Sequence, residues 1–202
     1  MRDEGERSLV LGLKRGERAA FDATYEKYRA RIHGFLLRLA RRRDVAEDLF
    51  QDVWLKLARH APRLADDTDL AAWLFTVARN AHVSHRRWSM LDLSRLVALA
   101  DEARIEGAHD RDEGPERNLE ATRAMERLER ALGSLSVGDR EILLLVGVEE
   151  LDQERAAAIL GIRYDAFRQR LARARGRLAA ALDELTRTPI SKPSTPTDEV
   201  ST

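Results

Sequence analysis

The chain has 202 residues with 5% aromatic content, which suits one large or two small domains built from compact helical units rather than a β-sandwich. Thirty-five basic and thirty-five acidic residues cancel, so net charge says nothing about a nucleic-acid partner and the distribution along the chain carries the information. Cysteine is absent, which excludes disulfides, thiolate metal sites and cysteine nucleophiles; with no long apolar run or signal-peptide pattern, a soluble, cytoplasmic protein with no membrane insertion is expected.

Residues 19–88 show apolar positions at helical spacing with few breakers, and are expected to form a first helical domain. Phe21, Tyr25, Tyr28, Ile32, Phe35, Leu36 and Leu39 mark one amphipathic helix, and Val45, Leu49, Val53 and Leu57 the next. In that second helix, DVAEDLFQDVWLKL, Asp44, Glu47, Asp48, Gln51 and Asp52 lie largely off the apolar stripe, so its outer face is acidic. Pro62 to Asp69 reads as a loop. A third helix, LAAWLFTVARNAHVSHRRW, follows, with Asp69 as N-cap and a basic last turn that suits the helix dipole. Trp73, Val77 and Ala81 fit burial there, while Arg79, Asn80, His85, Arg86 and Arg87 fit solvent or phosphate.

Between 89 and 118 the pattern weakens, acids outnumber arginines, and Gly107, Gly114 and Pro115 interrupt it, as expected of a flexible acidic linker. Helical spacing resumes at Leu119, and residues 119–185 are expected to form a second helical domain. Within it, LDQERAAAILGIRYDAFRQRLARARGRL reads as a short helix, a turn at Gly161 and an arginine-laced second helix. Tyr164, Phe167, Leu171, Ala174 and Leu178 make the inward stripe of that second helix. Arg168 and Arg175 flank the stripe on one side, Arg170, Arg173 and Arg177 on the other, and Gln169 lies opposite. One acid, Asp165, stands against six arginines between Arg163 and Arg177. A merely solvated helix mixes its signs, so this excess calls for an anionic partner. Residues 186–202 are Ser/Thr/Pro-rich with little to bury, and disorder is expected.

The five histidines are scattered, and no Walker-type loop, dinucleotide-binding glycine pattern or nucleophile elbow is present. No catalytic residue, metal site or cofactor is therefore assigned, and the chain is read as a binding protein rather than an enzyme.

Three motifs together resemble bacterial sigma factors of the extracytoplasmic-function group, the short form of the sigma-seventy family. DVAEDLFQDVWLKL is similar to the acidic helix of region two; WLFTVARN with HRR following is similar to the next helix of that region; LERALGSLSVGDREILLL leading into LGIRYDAFRQRLARAR is similar to region four. They occur in the family's order, with its linker between them, over about Phe21 to Leu182. The fold this implies is all-α: two small helical domains, sigma region 2 and region 4 with its helix-turn-helix, joined by the linker.

The resemblance implies a protein that binds core RNA polymerase, directs it to promoters and helps to open the duplex. Asp48, Gln51 and Asp52 would meet the clamp helices of the beta-prime subunit, and the second domain the beta flap. Trp73, Arg79, Asn80, Arg86 and Arg87, with the loop before them, would hold the unpaired minus-ten strand. Arg168, Gln169 and Arg173 would lie nearest base edges of the minus-thirty-five element, with Arg170 and Arg175 nearer its backbone. An anti-sigma factor is a further implied partner. The chain departs from the family pattern at Ser84, at Ser136, at Arg155 and Ala156 (usually Glu-Ile), and at Asp165 and Ala166 (usually Gly-Thr), so its promoter sequence is not inherited from relatives. The alternative reading is a stand-alone helix-turn-helix transcriptional regulator.

Overall fold

A computed structural model of the chain describes residues 4–96 and 119–187, which are helical apart from short connections. Most of the expected linker and nearly all of the Ser/Thr/Pro tail lie outside the described residues.

The first unit begins earlier than its apolar periodicity at Phe21 announces. Helix α1 (Glu4–Lys14) has acids in its first turn and Lys14 in its last, matching the helix dipole, and buries Val10 and Leu13. It packs on α2 (Arg18–Ala40). Gly12 makes the approach possible: a Cβ there would stand 2.6 Å from Ala20 Cβ. Tyr28 Oη donates to Glu6 Oε1 at 2.9 Å, and Lys14 pairs with Asp66, so α1 is tied to both α2 and the loop before α4.

Helix α2 ends at Arg41, which is left-handed (φ 58°) and returns its N–H to the Leu37 carbonyl. The chain then turns into α3 (Arg43–His60), whose Val45, Ala46, Leu49, Val53, Trp54 and Leu57 are buried. Aromatic side chains fill the α2–α3 seam, with Tyr25 and Trp54 edge-on at 4.8 Å and Phe50 5.8 Å from Trp54. A single tight turn at Ala61–Arg63 opens the connection to α4, and Asp69 caps that helix by accepting from the Ala72 N–H at 2.9 Å. Helix α4 spans Leu70–Leu96, passing the expected end at Trp88 and taking in the first residues assigned to the linker.

In the second unit, α5 (Leu119–Ser134), α6 (Val137–Leu143), α7 (Gln153–Leu160) and α8 (Tyr164–Arg187) enclose Leu132, Ile142, Leu144, Leu145, Ile159, Phe167 and Leu171. Ser136, which departs from the family's usual residue, is a working N-cap: its Oγ accepts from the Asp139 N–H. Leu144–Val148 widens into a π-type turn, closed by Glu149 N–H to the Leu144 carbonyl at 3.0 Å.

The two units touch. Helix α4 lies against α7 and α2 against α6. Around this contact run ion pairs between the units, among them Arg31 with Glu149 at 3.0 Å, Arg79 with Glu141 at 2.9 Å, Arg155 with Asp69 at 2.9 Å and Arg38 with Glu129 at 3.4 Å.

Candidate functional site

The acidic face of α3 is built by its packing. With Val45, Leu49, Val53 and Leu57 turned inward, Asp48, Gln51 and Asp52 are left exposed, and none of the three has a side-chain partner among the described residues. The neighbouring acids are engaged: Asp44 pairs with Arg42, whose hydrogen bond lowers the Asp44 pKa, and Glu47 accepts from Arg43 at 2.8 Å. Leu55, which the sequence reading left out, is 53% exposed one turn beyond Gln51 and Asp52. The face therefore combines exposed carboxylates with an exposed apolar side chain.

On α4 the buried stripe is Leu70, Leu74, Phe75, Ala78, Ala81 and His82. This corrects the expected stripe of Trp73, Val77 and Ala81: Trp73 and Val77 are only half-buried at its edge, because the helix packs against α2 and α3 through the next positions round. Trp73 lies 6.2 Å from the His60 ring. Asn80, Arg86 and Arg87 are exposed, and Trp88 is 67% exposed, so a large aromatic surface adjoins the two arginines. Arg79 is different. Its Nε donates to Glu141 Oε1 at 2.9 Å and its Nη1 to Asn80 Oδ1 at 3.3 Å, so it is held inside the contact between the units.

Helices α7 and α8 form the expected helix-turn-helix. Asp152 caps α7 by accepting from the Arg155 N–H at 2.8 Å, and Gly161 ends it at φ 65°, returning its N–H to Ala158. Phe167, Leu171 and Ala174 are buried; Arg168, Gln169, Arg170, Arg173 and Arg175 are exposed. Two members of the predicted pattern behave otherwise. Tyr164, expected in the inward stripe, is 42% exposed because it opens the helix one turn before the first buried position. Arg177 turns back to Asp139 at 2.7 Å and fastens α8 to α6. Asp165 stands exposed in the first turn, where the dipole favours it.

Sequence reasoning missed the buried charges of the contact between units. Glu141, Glu149 and Arg140 are each at most 7% exposed. Burial raises the pKa of Glu141 and of Glu149, and the arginines facing them, Arg79 and Arg31 respectively, oppose the shift. The available signal was a pair of acids bracketing the apolar run ILLLVGV, positions that periodicity assigns to a core. No cluster of three or more His, Asp or Glu suited to a metal occurs among the described residues.

The described residues thus form two helical units, the first with an exposed acidic face and the second carrying a helix-turn-helix with a basic outer face. Residues 24–89 match Sigma-70 region 2, and residues 125–178 match Sigma-70 region 4. The chain is 32% identical to the RNA polymerase sigma factor CnrH of Cupriavidus metallidurans over 142 residues, covering 69% of this chain and 72% of that protein. It is 31% identical to the ECF RNA polymerase sigma factor EcfG of Rhodopseudomonas palustris, over 75% of this chain and 78% of that one. Its fold is similar to the sigma factor RpoE of Bartonella quintana, solved in complex with the anti-sigma factor NepR, with a TM-score of 0.68 and 28% identity over 81% of this chain and 96% of that one.

The chain belongs to the extracytoplasmic-function sigma factors of the sigma-70 family. It is an RNA polymerase sigma factor, which binds the core enzyme, directs it to promoters and assists their melting; the region 2 match disfavours a free-standing regulator.

Proposed function

We propose that the two exposed faces divide the work of promoter-specific initiation. Asp48, Gln51 and Asp52, with Leu55 beside them, dock on the beta-prime clamp helices, the carboxylates setting register against basic partners and the leucine contributing apolar burial. Trp73, Asn80, Arg86 and Arg87, joined by Arg79 once it is released, hold the unpaired minus-ten strand through stacking and phosphate contacts. Capture of the single strand then stabilises the melted duplex. Arg168, Gln169 and Arg173 read base edges in the major groove of the minus-thirty-five element while Arg170 and Arg175 grip its backbone. The beta flap receives the second unit. The protein works without a cofactor or a catalytic centre of its own, in the cytoplasm, and an anti-sigma factor holds it inactive.

The observation that carries this reading is the side-chain division on α8: three buried apolar residues on one side, and four arginines and a glutamine exposed on the other. The experiment is in vitro transcription with purified core polymerase and a library of random promoters. New start sites that depend on this protein, and that share an upstream element lost with Arg173→Ala, are the expected result. A polymerase that gains no start sites overturns it.

A further inference from the structure

Helix α1 precedes residues 24–89, which match Sigma-70 region 2, so that match does not account for it. Its contacts reach beyond α2. The helix also packs on the tight turn at Ala61–Arg63, which opens the loop into α4, and Lys14 in its last turn pairs with Asp66 in that loop. The Lys14 hydrogen bond, helped by Arg7 about two turns earlier, holds the Asp66 carboxyl below the usual carboxylate range.

The loop is anchored everywhere but at its tip. Leu64 is buried, Asp69 is committed to capping α4, and Thr68 closes a turn on the Ala65 carbonyl through its N–H at 3.0 Å and its Oγ1 at 2.7 Å. Asp66 and Asp67 occupy the corner of that turn and are exposed. Adjacent carboxylates at the corner of a loop that meets a polyanionic strand are pushed away by its phosphates and drawn to the nearest cation. Lys14 places that cation on the protein side.

We propose that α1 is a brace for this loop, with Lys14 as a positioning residue: by holding the Asp66 carboxylate against α1, it keeps the loop in the form that receives the unpaired minus-ten strand. The idea rests on the reading that this loop and the helix behind it hold that strand. The brace has a firm footing. Val10 and Leu13 are buried, Gly12 allows close approach to Ala20, and the Tyr28 hydroxyl donates to Glu6. An ion pair as open to solvent as Lys14 with Asp66 contributes little to folding. Its effect belongs to strand capture, where a loop already held in place loses less freedom on binding.

The test is the lifetime of heparin-resistant complexes formed by the full chain and core polymerase. The template is a promoter recovered from the random library, with its minus-ten segment pre-melted by mismatches so that strand capture alone is read. Lys14→Ala should shorten the lifetime about threefold, the range an exposed ion pair allows, and Lys14→Arg should keep it native. In an Asp66→Ala background, Lys14→Ala should have no further effect, because the brace then has nothing to hold. Core-polymerase affinity and urea unfolding of Lys14→Ala should stay near native. An unchanged lifetime in Lys14→Ala overturns the brace. The same threefold loss in the Asp66→Ala background also overturns it, since Lys14 would then meet the strand directly; so does a matching loss of stability or core affinity. Trp73→Ala tests the reading beneath: a lifetime shortened there but not in Lys14→Ala removes the brace alone, whereas two unchanged lifetimes remove the strand assignment as well.

Discussion

The guanidinium of Arg140, on α6, donates to the main-chain carbonyl of Leu39, one residue from the end of α2, at 3.1 Å. The same group donates to the carbonyls of Leu132, Gly133 and Leu135 at 2.9 to 3.0 Å. One cation thus satisfies carbonyls at the C-terminal ends of two helices, one from each unit, where the helix dipoles favour positive charge. Burial, with Arg41 and Arg86 nearby, holds its pKa down to about 10, and it remains protonated at neutral pH.

Arg140→Met should therefore cost roughly 3 kcal/mol of stability, because buried carbonyls lose their donor while the apolar stem is kept. Arg140→Lys should recover only part of this, since a compact ammonium does not span four carbonyls as a planar guanidinium does. Urea unfolding of the three proteins checks both statements. Equal stability of Arg140→Met and the native chain would show that the carbonyls find other partners.

Asp48→Arg should weaken binding to core polymerase by on the order of tenfold, most strongly at low salt, while unfolding free energy changes by less than about 0.5 kcal/mol. The side chain is exposed and supports nothing in the fold, so its effect belongs to the partner. Fluorescence titration with core enzyme at two ionic strengths decides the matter. Affinity that matches the native protein at both salts removes Asp48 from the docking face.

At Gly161 the backbone is left-handed and a Cβ would meet nothing within 4 Å. Gly161→Ala should cost about 1 kcal/mol through backbone strain alone, with no clash to relieve. Gly161→Asn should cost less, because asparagine tolerates that conformation. Chemical denaturation of both variants gives the ranking, and an alanine variant as stable as the native chain contradicts it.

His82 is 3% exposed, and its Nδ1 has no hydrogen-bond partner among the described residues. Burial first, then Arg86, His85 and Arg140, depress its pKa from 6.5 to about 4. The sign follows directly: above pH 6.5 the ring is neutral in both states, and between 6.5 and 4 the unfolded chain binds the extra proton, so stability is lost as pH falls through this window. At pH 5 the loss from this one group is about 2 kcal/mol. Glu141 and Glu149, raised by burial, shift stability the opposite way. The measurement is consequently a comparison: His82→Leu should lose about 2 kcal/mol less than the native chain between pH 7 and pH 5. Parallel pH profiles for the two proteins would mean that the ring is not held neutral.

Much of the fold was legible because helices are locally encoded. The spacing of Val45, Leu49, Val53 and Leu57, the Asp69 cap and the Gly161 turn each specify structure within a few residues, and all three occur as read. The exposed faces followed from the same periodicity, which is why Asp48, Gln51 and Asp52 and the α8 arginines emerge outward together. Trp73 and Tyr164 were misread for a complementary reason. Periodicity gives the width of a stripe, while the neighbours against which a helix packs decide its centre and its ends.

By itself, the sequence determined two helical units, their order, an acidic face and a basic one, and the family they resemble. Only the tertiary structure decided that Arg79 lies against Glu141, Arg31 against Glu149 and Arg140 beneath Leu39. The members of these pairs stand 62, 118 and 101 residues apart. Charges so distant in the chain carry no periodic signature, and each arginine would read equally well as solvated. What fixes their partners is the packing of α4 on α7 and of α2 on α6, a contact that excludes water and leaves each buried charge needing an opposite charge or, for Arg140, main-chain carbonyls.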